Sequence, residues 1–137
     1  MTNFDCLDGD SIVLKYIAGT YEPILLSAIK EGDQILGLGG MHETVVEVSL
    51  QIQDRYLVKT ELGDTICSKD HVFFGKLKGE TQEIRASELK KGAILIARDS
   101  KFVTVKNVRR IKKGLVYSLK LSGNYPVYVS NGIFHRA

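Results

Sequence analysis

Residues 27–36 read "SAIKEGDQIL" and residues 87–96 read "SELKKGAILI". Ser, Lys and Gly recur between them at one constant offset (Ser27 with Ser87, Lys30 with Lys90, Gly32 with Gly92), and Ile29 aligns with Leu89. Each stretch predicts a short helical turn closed by its glycine. At the same offset the Gly63-Asp64 turn falls on Gly123-Asn124. The chain thus divides into two halves of about sixty residues, each running turn, strand, strand, tight turn, strand. Chance similarity between two short polar turns is the alternative. Read as a duplication, the pattern predicts one disc with approximate two-fold symmetry, which brings distant segments and both chain ends together at its centre.

The rest of the sequence agrees with an all-β architecture. Proline occurs only twice, no segment holds a helical period for long, and apolar residues alternate in short runs bounded by glycine. Strands are expected over Ser11–Tyr16, Gln34–Leu36, Val45–Gln53, Tyr56–Thr60, Thr65–Ser68, Ala93–Ala97, Lys101–Ile111, Leu115–Leu121 and Val127–Val129, with "LGDT" and "SGNY" as turns.

A chain of 137 residues, 44% hydrophobic and 26% charged, suits one domain with its own core. Neither a metal nor a disulfide is needed for folding at this length, so no cofactor and no metal site are expected. The two cysteines, Cys6 and Cys67, match no zinc or thioredoxin spacing and no secretory framework, which points to a reducing, cytoplasmic setting. Residues 1–5 lack a basic leader, Lys15 interrupts the apolar run Ile12–Ile17, and nothing approaches the roughly 20 residues of a membrane span. A soluble monomer without membrane or nucleic-acid partners is expected. The net charge of +3 is too small to argue otherwise, although "KFVTVKNVRRIKK" (101–113) gathers six basic residues and no acidic one. Interleaved with Phe102, Val103, Val105, Val108 and Ile111, that stretch reads as a hairpin with a solvated face rather than a binding patch.

Alone, Cys6 would read as a small core residue. In order, however, "CLDGDS" (6–11), "AIKEGDQIL" (28–36), "DTICSKDHVFF" (64–74), "ASELKKGAIL" (86–95) and "VYSLKLSGNYPVYVSNGIFH" (116–135) resemble the Hint superfamily of inteins, bacterial intein-like domains and Hedgehog autoprocessing domains. The resemblance covers residues 6–136. It implies a disc- or horseshoe-shaped Hint fold over that span, with 1–5 as an upstream flanking segment and Ala137 as a downstream flanking residue. It also implies that Cys6 attacks the carbonyl of Asp5, converting the upstream peptide bond to a thioester.

A free thiol is only a few per cent ionised at neutral pH and an amide is a poor electrophile, so the site must assist. By the resemblance, His71 acts as general acid on the leaving amine and Ser68 orients the scissile nitrogen. Asp70 is expected to hold the loop or His71. The plainer alternative for His71 is a satisfied histidine at a strand end. Cys67 reads as core packing, against a second redox or thioester cysteine.

The resemblance fails at the carboxyl end. His135 occupies the penultimate-histidine place, but the asparagine place holds Arg136, which has no carboxamide to cyclise, and Ala137 carries no nucleophile. Ser118 and Tyr125 stand where the family usually has an aspartate and a histidine. Four positions for transesterification and carboxyl-end cleavage have changed, while Cys6, Ser68 and His71 remain competent. The implied activity is a single-turnover, autocatalytic N–S acyl shift at Asp5-Cys6. A thiol, water or an upstream group such as the Asp5 carboxylate would then release a covalently fused upstream polypeptide, and splicing belongs to a parent with a terminal asparagine and a downstream nucleophile. A thioester lies several kcal/mol above an amide, and every ~1.4 kcal/mol lowers its population tenfold. The competing expectation is a catalytically degenerate Hint scaffold serving as a binding or structural module, with the basic hairpin as its candidate surface. No homing-endonuclease insert fits in 137 residues.

Overall fold

The computed structural model describes residues 5–124 and 126–137. Its strands are β1 (Cys6–Leu7), β2 (Ile12–Ile17), β3 (Thr20–Leu25), β4 (Gln34–Leu36), β5 (His42–Thr60), β6 (Gly63–Ser68), β7 (Val72–Leu77), β8 (Glu80–Arg85), β9 (Ile94–Ala97), β10 (Lys101–Leu121), β11 (Val127–Ser130) and β12 (Ile133–Arg136). All pair antiparallel within one 12-stranded sheet. β10 pairs with β5 along most of its length and with β9 at its start, so the sheet curls back on itself.

The duplication is physical. Stepping sixty residues along the chain carries β2 onto β7 and β3 onto β8, and the short 3-10 turn Leu26–Ala28 onto Ala86–Glu88. Backbone bonds repeat at the same step: Gly32 N–H donates to Val45 O and Gly92 N–H to Val105 O, both at 2.8 Å. Buried side chains repeat as well, in the pairs Val13/Phe73, Ile29/Leu89, Ile35/Leu95 and Val45/Val105. Each contributes about 1.5–3 kcal/mol by leaving water, so the two half-cores share one interior.

Three sequence expectations are corrected. Val45–Gln53 and Tyr56–Thr60 form one strand, because Asp54 and Arg55 stay extended and place their charges in ion pairs with Arg110 and Asp8. Lys101–Leu121 is likewise continuous, so the basic stretch is not a hairpin but the first half of β10, its register shifting between Ile111 and Gly114. A Cβ at Gly114 would collide with the Arg55 guanidinium that packs there. The hairpins β2–β3 and β7–β8 went unread because β3 and β8 are largely exposed outer strands, Pro23 interrupting the alternation of one and the polar run Glu80–Glu83 that of the other. Their turns are Ala18-Gly19 and Lys78-Gly79, all four residues at positive φ, the conformation tight hairpins require.

Candidate active site

The site grows out of the duplicated turn between the first strand of each half and its hairpin. In the first half Ser11 N–H donates to Asp8 O, Leu26 N–H to Ser11 O and Ser27 N–H to Gly9 O. In the second, His71 N–H donates to Ser68 O, Ala86 N–H to His71 O and Ser87 N–H to Lys69 O. The backbone device is the same, and only the side chains differ. Asp8 and Ser11 occupy the positions that Ser68 and His71 occupy sixty residues later.

Cys6 on β1 lies between β6 and β10, opposite Ser118, and is fully buried. Its N–H donates to Ser68 Oγ at 3.3 Å, and that hydroxyl lies 3.4 Å from Cys6 O. The Gln53 carboxamide points Nε2 at Cys6 Sγ, 3.8 Å away. Burial pushes the Cys6 thiol up to about 11, against hydrogen bonds with Ser68 and Ser118 that pull it down. The thiol is therefore protonated near neutral pH. On the other side of the Asp5-Cys6 peptide, Val72 N–H donates to Asp5 Oδ1 at 3.1 Å. The five-residue turn bearing His71 is thus bonded to both residues of the Asp5-Cys6 bond.

His71 and His135 are both fully buried and face each other, with His71 Nε2 2.9 Å from His135 Nδ1. Burial drives both below the usual imidazole value, His135 to about 4, so the pair is neutral near pH 7. The far ring nitrogen of His135, Nε2, lies 3.2 Å from Ser130 O. A carbonyl only accepts, so His135 carries its proton on Nε2 and leaves Nδ1 as an acceptor. His71 must then donate from Nε2, which leaves a lone pair on its Nδ1. That atom is buried and has no hydrogen-bond partner among the described residues. The Ser130 carbonyl sets the tautomer of both rings.

Asp5 is also buried, and its second carboxylate oxygen accepts from Arg136 Nε and Nη2, both at 3.2 Å. Arg136 Nη1 donates to Glu83 at 3.0 Å. Burial raises the Asp5 carboxyl, with the Arg136 charge and the Val72 N–H opposing. Asp5 and Arg136 open onto a cleft of about 960 Å3 that Asp70, Arg85 and Ser118 also line.

No family model and no curated protein matches this sequence. Solved structures do match. The gp41-1 intein aligns over 96% of this chain and 98% of its own at a TM-score of 0.79 and 23% identity. The VidaL intein aligns over 98% of each chain at 0.81 and 16%. A bacterial intein-like domain from Clostridium thermocellum aligns over 98% of this chain and 100% of its own at 0.80 and 18%. This chain has the intein fold.

Within the intein fold the structure gathers Asp5, Cys6, Ser68, His71, Ser118, His135 and Arg136 around one centre. Asp70 departs from expectation: its carboxylate makes no hydrogen bond or ion pair among the described residues and lines the cleft, and the group holding His71 is His135. Ala137 ends the cleft, its N–H donating to Pro126 O at 2.7 Å. Tyr125 lies outside the described residues. Cys67 packs in the core, where burial raises its thiol further than that of Cys6. Sequence reading missed Gln53, Ser130 and Tyr128. Tyr128 is fully buried and its hydroxyl has no partner among the described residues. Its signal was available, since a tyrosine inside an apolar strand must either pair its hydroxyl or leave it costly.

Proposed function

We infer that the chain is a self-processing domain whose Cys6 thiol attacks the carbonyl carbon of Asp5, with a fused upstream polypeptide as its substrate and a reducing compartment as its setting. The observation that carries this reading is the turn from Ser68 to Val72, hydrogen-bonded at once to Cys6 N and to the Asp5 side chain. It keeps Ser68 at the scissile nitrogen and His71 in the same turn.

The thiol is too weakly acidic to ionise unaided, and neutral His71 offers the Nδ1 lone pair to receive its proton. Sulfur bonds to the Asp5 carbonyl carbon, the C–N bond of Asp5-Cys6 breaks, and the proton on His71 passes to the departing nitrogen. The product is a thioester on Cys6 with a free amine, and no atom is gained or lost. In this reading the neutral ring accepts a proton before it acts as general acid on the leaving amine. Ser68, bonded to the Cys6 N–H, would hold the amide whose nitrogen departs.

Arg136 and Ala137 supply neither a carboxamide nor a nucleophile, so the chemistry ends at the thioester and an external thiol or water releases the upstream segment. A fusion bearing a larger amino-terminal partner tests this by mass spectrometry. Release is expected with dithiothreitol or hydroxylamine and is lost in Cys6→Ala. Absence of thiol-dependent release from the unaltered chain overturns the reading and leaves a Hint-type scaffold with a binding role.

A further inference from the structure

We propose that Arg136, Glu83 and the Val72 N–H form a carboxylate subsite for the residue immediately ahead of Cys6, with Arg136 as its specificity-determining residue. The inference rests on the amino-end reading for its consequence, but not for its geometry.

Among the described residues, Val72 N–H and two Arg136 nitrogens converge on the Asp5 carboxylate. Val72 N–H takes Oδ1 at 3.1 Å, and Arg136 Nε and Nη2 take Oδ2 at 3.2 Å each. The carboxylate side chain is only 9% exposed, and a buried charge of that kind persists only where it is paired. Strand alternation explains why the guanidinium is available: β12 turns His135 into the core and Arg136 toward the cleft. Glu83 on β8 then holds the guanidinium by Nη1 at 3.0 Å, leaving its Nε–Nη2 edge for Asp5. Arginine stays charged and presents its donors in a fixed fork, which suits carboxylate recognition better than lysine does.

Two consequences follow for the residue ahead of Cys6. Its side chain is selected by charge and by length, since the Val72 N–H and the Arg136 edge lie at a spacing that aspartate spans while a lysine meets like charge. Its carboxylate is also held by these donors and so restrained from attacking the adjacent thioester carbonyl. The position that in splicing members would carry the cyclising asparagine here serves the opposite end of the chain.

The test uses the full chain with Cys6→Ala, so that the Asp5 peptide stays intact whatever the chemistry. Arg136→Gln strips the buried carboxylate of its counter-charge and is expected to lower the melting temperature by several degrees. Adding Asp5→Asn is expected to recover most of that loss, and Arg136→Lys to fall between. Losses that simply add, with the double variant below either single one, overturn the subsite. Should Arg136→Gln fail to fold, the swap Asp5→Lys with Arg136→Glu reads the same coupling: recovery relative to Asp5→Lys alone supports it, and no recovery overturns it. Hydroxylamine release from the Cys6 chain is then compared for Asp, Asn, Ala and Lys at position 5. A drop of about tenfold for Asn and more for Lys is expected, flattened in Arg136→Gln. No release from any chain, with the thermal coupling present, refutes the proposed reaction but not the subsite.

Discussion

His71 Nε2 stands 2.9 Å from His135 Nδ1, and the Ser130 carbonyl behind His135 decides which way that bond runs. The relay leaves the His71 Nδ1 lone pair free, the state needed to take a proton from a thiol. Asparagine at 135 can still offer an oxygen near the place of Nδ1, whereas leucine cannot. His135→Asn is expected to keep most of the release rate and His135→Leu to lose on the order of 10²-fold, within the usual range for general acid–base groups. Tautomer-sensitive 15N shifts of His71 provide a second readout. An unchanged His71 tautomer in His135→Leu contradicts the relay.

The same pair makes the fold sensitive to acid. Both imidazoles stay neutral when folded, while the unfolded chain takes up protons from about pH 6.5 downward. The stability they confer is present above that value and is lost as pH falls, His135 contributing on the order of 3 kcal/mol by the time pH reaches about 4. Asp5 acts with opposite sign: its raised carboxyl favours the fold in acid and loses that contribution as pH rises through its folded value. Urea midpoints are expected to fall between pH 7 and pH 5, and to fall less in His135→Asn. An identical drop in that variant would mean that other groups govern the acid limb.

The pH profile of the reaction separates two routes to the nucleophile. With the Cys6 thiol pushed up to about 11, only roughly one molecule in 10⁴ carries a thiolate at pH 7. If neutral His71 receives the proton, thiol and imidazole enter together in their dominant forms, and the rate stays flat from about pH 6 to pH 9. Without the imidazole, only the thiolate reacts. Release under saturating hydroxylamine is expected to be flat in the unaltered chain and to climb about tenfold per pH unit in His71→Ala. A tenfold climb in both would remove His71 from the proton path.

The duplication was legible because its signal is local: a Ser–Lys–Gly turn must close a strand pair wherever it occurs, so residues 27–36 and 87–96 announced two like halves. Cys6, Ser68 and His71 were legible by motif. Strand extents were not, because Asp54-Arg55 looks like a break until its charges pair across the sheet with Arg110 and Asp8, and Lys112-Lys113 looks like one until Arg55 Nε donates to the Lys112 carbonyl. The same limit hid the coupling of His71 with His135 and of Asp5 with Arg136. Those contacts join residues 64 and 131 positions apart, and only the closed sheet brings them together.

Gly75 shows how tightly that closure packs. It lies in β7 opposite Leu95 of β9, and a Cβ there would sit 2.5 Å from the Ile94 carbonyl oxygen and 2.8 Å from Ile84 Cδ1. The first of these is backbone in a paired strand and cannot step aside as a flexible side chain could. Neighbouring Phe73 in the same strand pairs with His135 and sets its T-shaped edge against His71, so movement of β7 reaches the relay. Gly75→Ala is expected to cost about 1–3 kcal/mol by overpacking and to slow release, as β7 shifts relative to β12. Gly19→Ala makes the control: nothing lies within reach of its Cβ, so its cost is confined to the positive φ at the turn, and the site should be untouched. Equal effects of the two substitutions on release would show that β7 does not transmit packing to the histidine pair.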